Sequence, residues 1–218
     1  MTYKLSPSSL SLFNDCQRCF YLNQNKKIKR PQGIFPSLPS GMDIVIKEYF
    51  DQCREEGRRP DELTALPKDV TLYQDMKQLK VWRNNFKGIR WNDDGGNTLF
   101  GAIDDLLQQD EKLIVLDHKT KGFKPKEGEE DKTIEYYQQQ LDMYALLFQK
   151  NGFSVAETGH ILLWYPEGVK GSGLVQFATK LYDISLSPTN AQAVFEKALG
   201  VLQGAEPEAA KKCEYCKR

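Results

Sequence analysis

Two aspartates and a lysine carry the chemistry that stands out first in this chain. Asp104 ends the run FGAID within residues 100–105, and Asp117 and Lys119 sit in LIVLDHKTKG, residues 113–122. On an extended strand, residues two apart share a face, so Asp117 and Lys119 point the same way. Residues 99–107 and 112–118 read as two strands of a hairpin, joined through Gln108, Gln109, Asp110 and Glu111. If the turn centres on Asp110-Glu111, Asp104 falls directly opposite Asp117. Opposed side chains have Cβ atoms about 4.5–5.5 Å apart, and like charges there repel. Two carboxylates so placed inside apolar strands need a counter-charge, and a hard divalent cation supplies one through carboxylate oxygens. A loop one residue longer would flip the face and separate the pair.

The elements around the hairpin must hold it. Ser6-Pro7 reads as an N-cap followed by proline at the first helical position, opening a helix through Leu10, Phe13 and Phe20 towards Leu22. Residues 31–41, PQGIFPSLPSG, read as an ordered loop. Helices are predicted over residues 43–54 and 71–87. Residues 133–150 are strongly helical, with Tyr137, Leu141, Tyr144 and Phe148 recurring at spacings of three and four. Strands over 159–165 and 174–184 and a helix over 190–202 complete the chain. This order predicts a single α/β domain with a mixed central sheet flanked by helices.

Composition bounds the function from outside. The 218 residues are 40% hydrophobic and 28% charged, an ordinary globular balance that needs no disulfide staples. No apolar run is long enough to span a bilayer, and the N-terminus lacks the apolar core of a secretory signal, so a cytoplasmic location is expected. Thirty basic residues balance thirty acidic ones, so only local clusters speak to nucleic acid: Lys26, Lys27, Lys29 and Arg30, then Lys119, Lys121, Lys124 and Lys126. The second cluster stops at Glu127, Glu129, Glu130 and Asp131. With His118 and His160 as its only histidines, the chain is a poor candidate for a Ser-His-Asp hydrolase or a His-rich zinc catalyst.

With these residues in view, the chain resembles the PD-(D/E)XK nuclease superfamily and its RecB-like branch. That branch carries G-x-[IV]-D, then an apolar run ending D-x-K-T, then a helix with Q-x-x-x-Y. Here they read Gly101-Ala102-Ile103-Asp104, Ile114 to Thr120 through Asp117-His118-Lys119, and Gln140 to Tyr144. Ser8, Leu10, Phe13 and Cys16, followed by Phe20-Tyr21-Leu22, resemble the branch's opening helix. The resemblance implies a restriction-endonuclease-like fold and a Mg²⁺- or Mn²⁺-dependent deoxyribonuclease acting on single strands or ends. Asp104 and Asp117 would hold the metal, with the backbone carbonyl of His118 as a further ligand. Lys119 would orient or activate the attacking water, and Gln140 and Tyr144 would border the site. Many relatives carry a metal-binding histidine in an earlier helix. The comparable segment here, residues 41–48, has none, leaving Asp43 or Glu48 as substitutes. A non-catalytic DNA-binding module of the same fold is the alternative. A helicase or a CRISPR-adaptation protein is the implied partner.

Cys16-x-x-Cys19 and Cys213-x-x-Cys216 stand near opposite ends of the chain. In a reducing compartment such pairs read as metal ligands before disulfides, and two pairs complete a tetrahedral thiolate site. They are also similar to the cysteines of iron–sulfur nucleases of this branch, AddB-like and CRISPR-adaptation types, which fasten the ends of the nuclease domain together. Those relatives have one N-terminal and three C-terminal cysteines; this chain has two and two. The resemblance implies a [4Fe–4S] cluster, and the departure in cysteine arrangement keeps zinc as the alternative. Cys53 reads as a spare thiol.

Overall fold

A computed structural model describes residues 1–31, 33, 37–126, 128 and 130–216. The element order is β1 (Lys4–Leu5), α1 (Pro7–Asp15), α2 (Gln17–Lys26), α3 (Ser37–Glu55), β2 (Thr71–Leu72), α4 (Met76–Trp82), β3 (Ile89–Asn92), β4 (Thr98–Gly101), β5 (Asp105–Gln109), β6 (Lys112–Thr120), α5 (Glu130–Lys150), β7 (Thr158–Val169), β8 (Val175–Ser185) and α6 (Pro188–Gln203). Five strands form the central sheet in the order β2-β5-β6-β7-β8, and β1-β4-β3 form a smaller one. The central sheet is mixed: β6 and β7 are parallel, and its other pairs antiparallel. A parallel pair cannot be joined by a tight turn, and α5 makes that crossover.

The core divides by strand parity. Along β6, Leu113 and Val115 join the cluster holding Leu141, Tyr144 and Phe148 of α5 and Phe195 of α6. Ile114 and Leu116 join Ile46, Phe50 and Cys53 of α3 on the opposite face. With helices covering both faces, β6 is buried on both, which is why it reads as an unbroken apolar run.

The hairpin has the predicted register: Asp105 pairs with Leu116, Leu106 with Val115 and Leu107 with Ile114. Continued one step, that register sets Asp104 against Asp117. The single strand expected over 99–107 is divided, however. It ends at Gly101 in the small sheet and resumes at Asp105 in the large one, with a bend at Asp104 between them. The cause is a close approach. A Cβ on Gly101 would lie 2.8 Å from a ring carbon of Tyr144, and the Tyr144 hydroxyl donates to the Ala102 carbonyl at 2.7 Å.

Three other expectations are revised. The first helix is two helices broken at Cys16, whose backbone is extended (φ −159°, ψ 108°). Its start is as expected: Ser9 N–H donates to the Ser6 hydroxyl, and Ser6 N–H to that of Ser9, a reciprocal cap. The 31–41 loop is already helical from Ser37, because Pro39 falls in the first turn where its missing N–H costs nothing; Gln32 and residues 34–36 lie outside the described residues, as do Glu127 and Glu129 of the acidic run. The helix expected over 71–87 is the short strand β2 followed by the short α4.

Candidate metal and phosphate site

The bend at 102–104 and the end of β6 bring Asp104, Asp117 and Lys119 together. The His118 amide donates to Asp104 Oδ2 at 3.1 Å, fastening the bend to the neighbouring strand beside Asp117. Lys119 Nζ forms an ion pair with Asp117 Oδ2 and lies 5.0 Å from the centre of the Tyr137 ring. Asp117 is fully buried. Among the described residues, Lys119 is the one charged group paired with it, and Oδ1 has no hydrogen-bond donor.

The electrostatics follow from that burial. Desolvation, and then the charge of Asp104, push the Asp117 carboxyl up to about 7 against the opposing pull of Lys119. Asp104 is held below the ordinary range: burial works against it, but Lys47, Lys119 and His118 outweigh burial. Burial likewise works to lower the Lys119 ammonium, yet Asp117 and Asp104 hold it above its usual value. Two converging acids thus share a site that favours one negative charge over two. That is the mutual repulsion expected of opposed carboxylates, and a divalent cation relieves it. The donor set fits such an ion: hard oxygens, one of them buried with nothing to bind. It is also sparse. Among the described residues, the only group of three or more close Cys, His, Asp or Glu ligands is the cysteine quartet, not the carboxylates.

Lys47 was not foreseen. From α3 it pairs with Asp104 at 2.9 Å and Asp43 at 2.8 Å. Asp43, one of the two candidates for the absent histidine, thus reaches the site through Lys47; Glu48 is exposed. The His118 ring faces the other way, as the parity of β6 requires, and packs edge-on against Phe50 with centroids 4.6 Å apart. This leaves only the backbone of His118 on the Asp117 side. Gln140 donates to the Tyr144 hydroxyl at 2.9 Å, and that hydroxyl holds the Ala102 carbonyl. Both therefore act on the bend that presents Asp104.

A second layer went unseen as well. Asp105, fully buried, receives Arg54 at 2.5 Å and Arg83 at 2.8 Å. Arg83 also donates to the Asp104 carbonyl at 2.6 Å and, with Arg54, pairs with Asp51. Arg54 and Asp51 are spaced for a helical i,i+3 pair, but nothing local signals that Arg54 and Arg83 converge on Asp105, which is distant in sequence from both.

The four cysteines converge far from the carboxylates in the chain. Cys16 and Cys216 sulfurs are 3.9 Å apart, Cys19 and Cys213 3.5 Å, and Cys19 and Cys216 3.3 Å; all four lie within 4.8 Å of one another. A zinc ion with Zn–S bonds of about 2.3 Å sets thiolates roughly 3.8 Å apart in a tetrahedron, so these spacings fit one ion. The helix break at Cys16 lets both N-terminal cysteines face this centre.

The family model described as the PD-(D/E)XK nuclease superfamily matches residues 4–218. Among curated proteins, the chain is 24% identical over 133 residues to an ATP-dependent helicase/nuclease of Clostridium novyi (strain NT), covering 56% of this chain. The chain spans about a tenth of that relative's length. Among solved structures it is similar to that of SSO0001, at 15% identity and a TM-score of 0.44, covering 99% of this chain and 84% of the other.

Proposed function

The chain belongs to the PD-(D/E)XK nuclease superfamily, and from that premise we propose that it is a Mg²⁺- or Mn²⁺-dependent deoxyribonuclease acting on single strands or ends. One observation carries the reading: a fully buried Asp117, with an oxygen that no donor among the described residues satisfies, set beside an ionised Asp104 and the ammonium of Lys119. Asp104 and Asp117 would hold the metal, with the backbone carbonyl of His118 as a third oxygen. When bound, such an ion lowers the pKa of a water and polarises a phosphoryl oxygen. Lys119 orients the attacking water and, with its charge fixed before reaction, stabilises the negative charge that grows on the phosphate. Gln140 and Tyr144 keep Asp104 in place by fixing the Ala102 carbonyl.

The test is cleavage of labelled single- and double-stranded DNA with Mg²⁺ or Mn²⁺. Lys119→Ala is expected to lose on the order of 10²–10³ in rate, the scale of removing one preorganised charge-stabilising donor, while DNA binding survives. A variant that cuts as fast as wild type ends the assignment.

A second reading has one observation in its favour: Lys47 already neutralises Asp104. Under it, the chain binds DNA without cutting. Salt-sensitive binding by the wild type, with no cleavage in any divalent ion, selects this reading.

We further propose that the cysteine quartet binds a structural metal centre joining the two ends of the nuclease fold. The sulfur spacing matches one zinc ion. The [4Fe–4S] cluster implied by the family resemblance requires the sulfurs to move apart. Metal analysis and the visible spectrum of protein purified without oxygen separate the two. The relative's name pairs a nuclease with a helicase, and on that likeness a DNA-unwinding partner is the first to test by co-purification.

A further inference from the structure

Beside Lys119 a cleft of about 250 Å³ opens between the start of α1 and α5. Ser8 and Ser11 line one side, and Tyr136, Tyr137, Gln139 and Gln140 the other; Lys119 belongs to the same lining. Tyr136 is 77% exposed, so its ring is open to a ligand entering the cleft. Its ring meets that of Tyr137 edge-on, centroids 4.8 Å apart, and Tyr137 in turn lies under the Lys119 ammonium. Lys119, Tyr137 and Tyr136 thus follow one another in contact along the cleft. Gln139 adds a polar group: its Nε2 is buried with no acceptor among the described residues, and a base carbonyl is an acceptor of the kind it lacks. Beyond Lys119, residues 121–126 carry Lys124 and Lys126 as exposed cations.

We propose that this cleft is a nucleobase subsite, in which Tyr136 stacks on the unpaired base of a nucleotide next to the phosphodiester at Lys119. The proposal rests on the nuclease reading above and deepens it at one residue. A base inside a duplex keeps both faces covered by its neighbours, so only an unpaired or extruded base can lie against the ring. A flat aromatic surface accepts any base, giving strand preference without sequence preference. The flanking cations track the backbone and contribute a salt-dependent term shared by all sequences.

The experiment measures binding of a fluorescein-labelled 12-nucleotide DNA strand, and of the same sequence as a duplex, with Ca²⁺ replacing Mg²⁺. Wild type, Tyr136→Ala and Tyr136→Phe are compared; Tyr136 is exposed, and thermal melts confirm that the variants fold. Loss of stacking worth about 1–3 kcal/mol per base predicts single-strand binding weaker by roughly 5- to 150-fold in Tyr136→Ala. Tyr136→Phe is expected to stay within about twofold of wild type, and duplex binding to be equally unaffected. A 2-aminopurine placed along the strand is expected to be quenched at one position by wild type and by Tyr136→Phe but not by Tyr136→Ala. Unchanged single-strand binding by Tyr136→Ala overturns the subsite, and so does an equal loss for strand and duplex. Repeating the series with Mg²⁺ separates this outcome from failure of the nuclease reading. Cleavage with Tyr136→Ala binding normally removes the subsite alone. Tyr136-dependent binding without cleavage by any form removes the nuclease and leaves the subsite standing.

Discussion

Asp105 and Asp104 are adjacent in sequence and opposite in role. Asp104 faces Lys47 and Asp117, whereas Asp105 turns into the layer beneath and is clamped by Arg54 and Arg83. A buried charge that keeps its partners is tolerated; one that loses a partner is costly, on the order of 3–5 kcal/mol. Because Arg83 remains, Arg54→Met is expected at the lower end, about 3 kcal/mol less stable in urea unfolding. A loss under about 1 kcal/mol means that water already screens the pair. His160 gives a second residue-scale prediction. Burial holds its imidazole below its ordinary 6.5, with Asp183 opposing. The fold therefore favours the neutral ring, and the unfolded chain takes up the proton first as pH falls. Stability from this site is fully present above the ordinary value and is lost as pH drops through it towards the folded value. Melting temperatures between pH 7.5 and 5.5 should fall more steeply in wild type than in His160→Gln; parallel slopes contradict the assignment.

At the scale of elements, the division between β4 and β5 matters most. Gly101 is where two sheets part, and α5 presses Tyr144 and Leu147 into the space a side chain would need. Gly101→Ala overpacks this contact, at a cost of about 1–3 kcal/mol. It also displaces the Ala102 carbonyl, so cleavage is expected to fall more than stability. Activity retained at full rate in a folded Gly101→Ala protein rules out the positioning role given to Tyr144. The hairpin register was legible because its turn is short and both strands are apolar, so one residue of slip would bury the wrong set. Helix α5 was legible through its three-and-four spacing. The division after Gly101 was not, because residues 99–107 read as one extended run and its interruption comes from a tertiary contact with α5. Nor was the break at Cys16, where no glycine or proline marks the end of α1. Short strands such as β1 and β3 offer too few residues for any period to emerge. Of the candidate site, the acids and Lys119 could be read from spacing; the reach of Lys47 to Asp104 and of Arg54 and Arg83 to Asp105 could not, since these partners are distant in sequence.

For the molecule as a whole, no helix among the described residues is long and apolar enough to cross a membrane. α2, carrying Cys19, also packs against α6, where Asn25 donates to the Leu202 carbonyl at 3.0 Å, so the first and last parts of the fold are joined by protein contacts as well as by cysteines. A bound metal adds the free energy of its binding to the folded state. Removing it with a chelator that competes for thiolates is expected to lower the melting temperature by roughly 10 °C, taking about 4 kcal/mol and 2–4 °C per kcal/mol for a chain of this size. Cys213→Ser should start from the lower value and show no further drop on chelation. A wild-type melting point indifferent to the chelator counts against a structural centre.

The cysteine pairs also impose an order on biosynthesis. Cys16 and Cys216 are 200 positions apart, so a ribosome has released the first pair long before it makes the second. Until then the early thiols stand unliganded on a nascent chain. The complete thiolate set exists only once synthesis has passed Cys216, so the centre proposed for it would be loaded after that point and not on the early nascent chain.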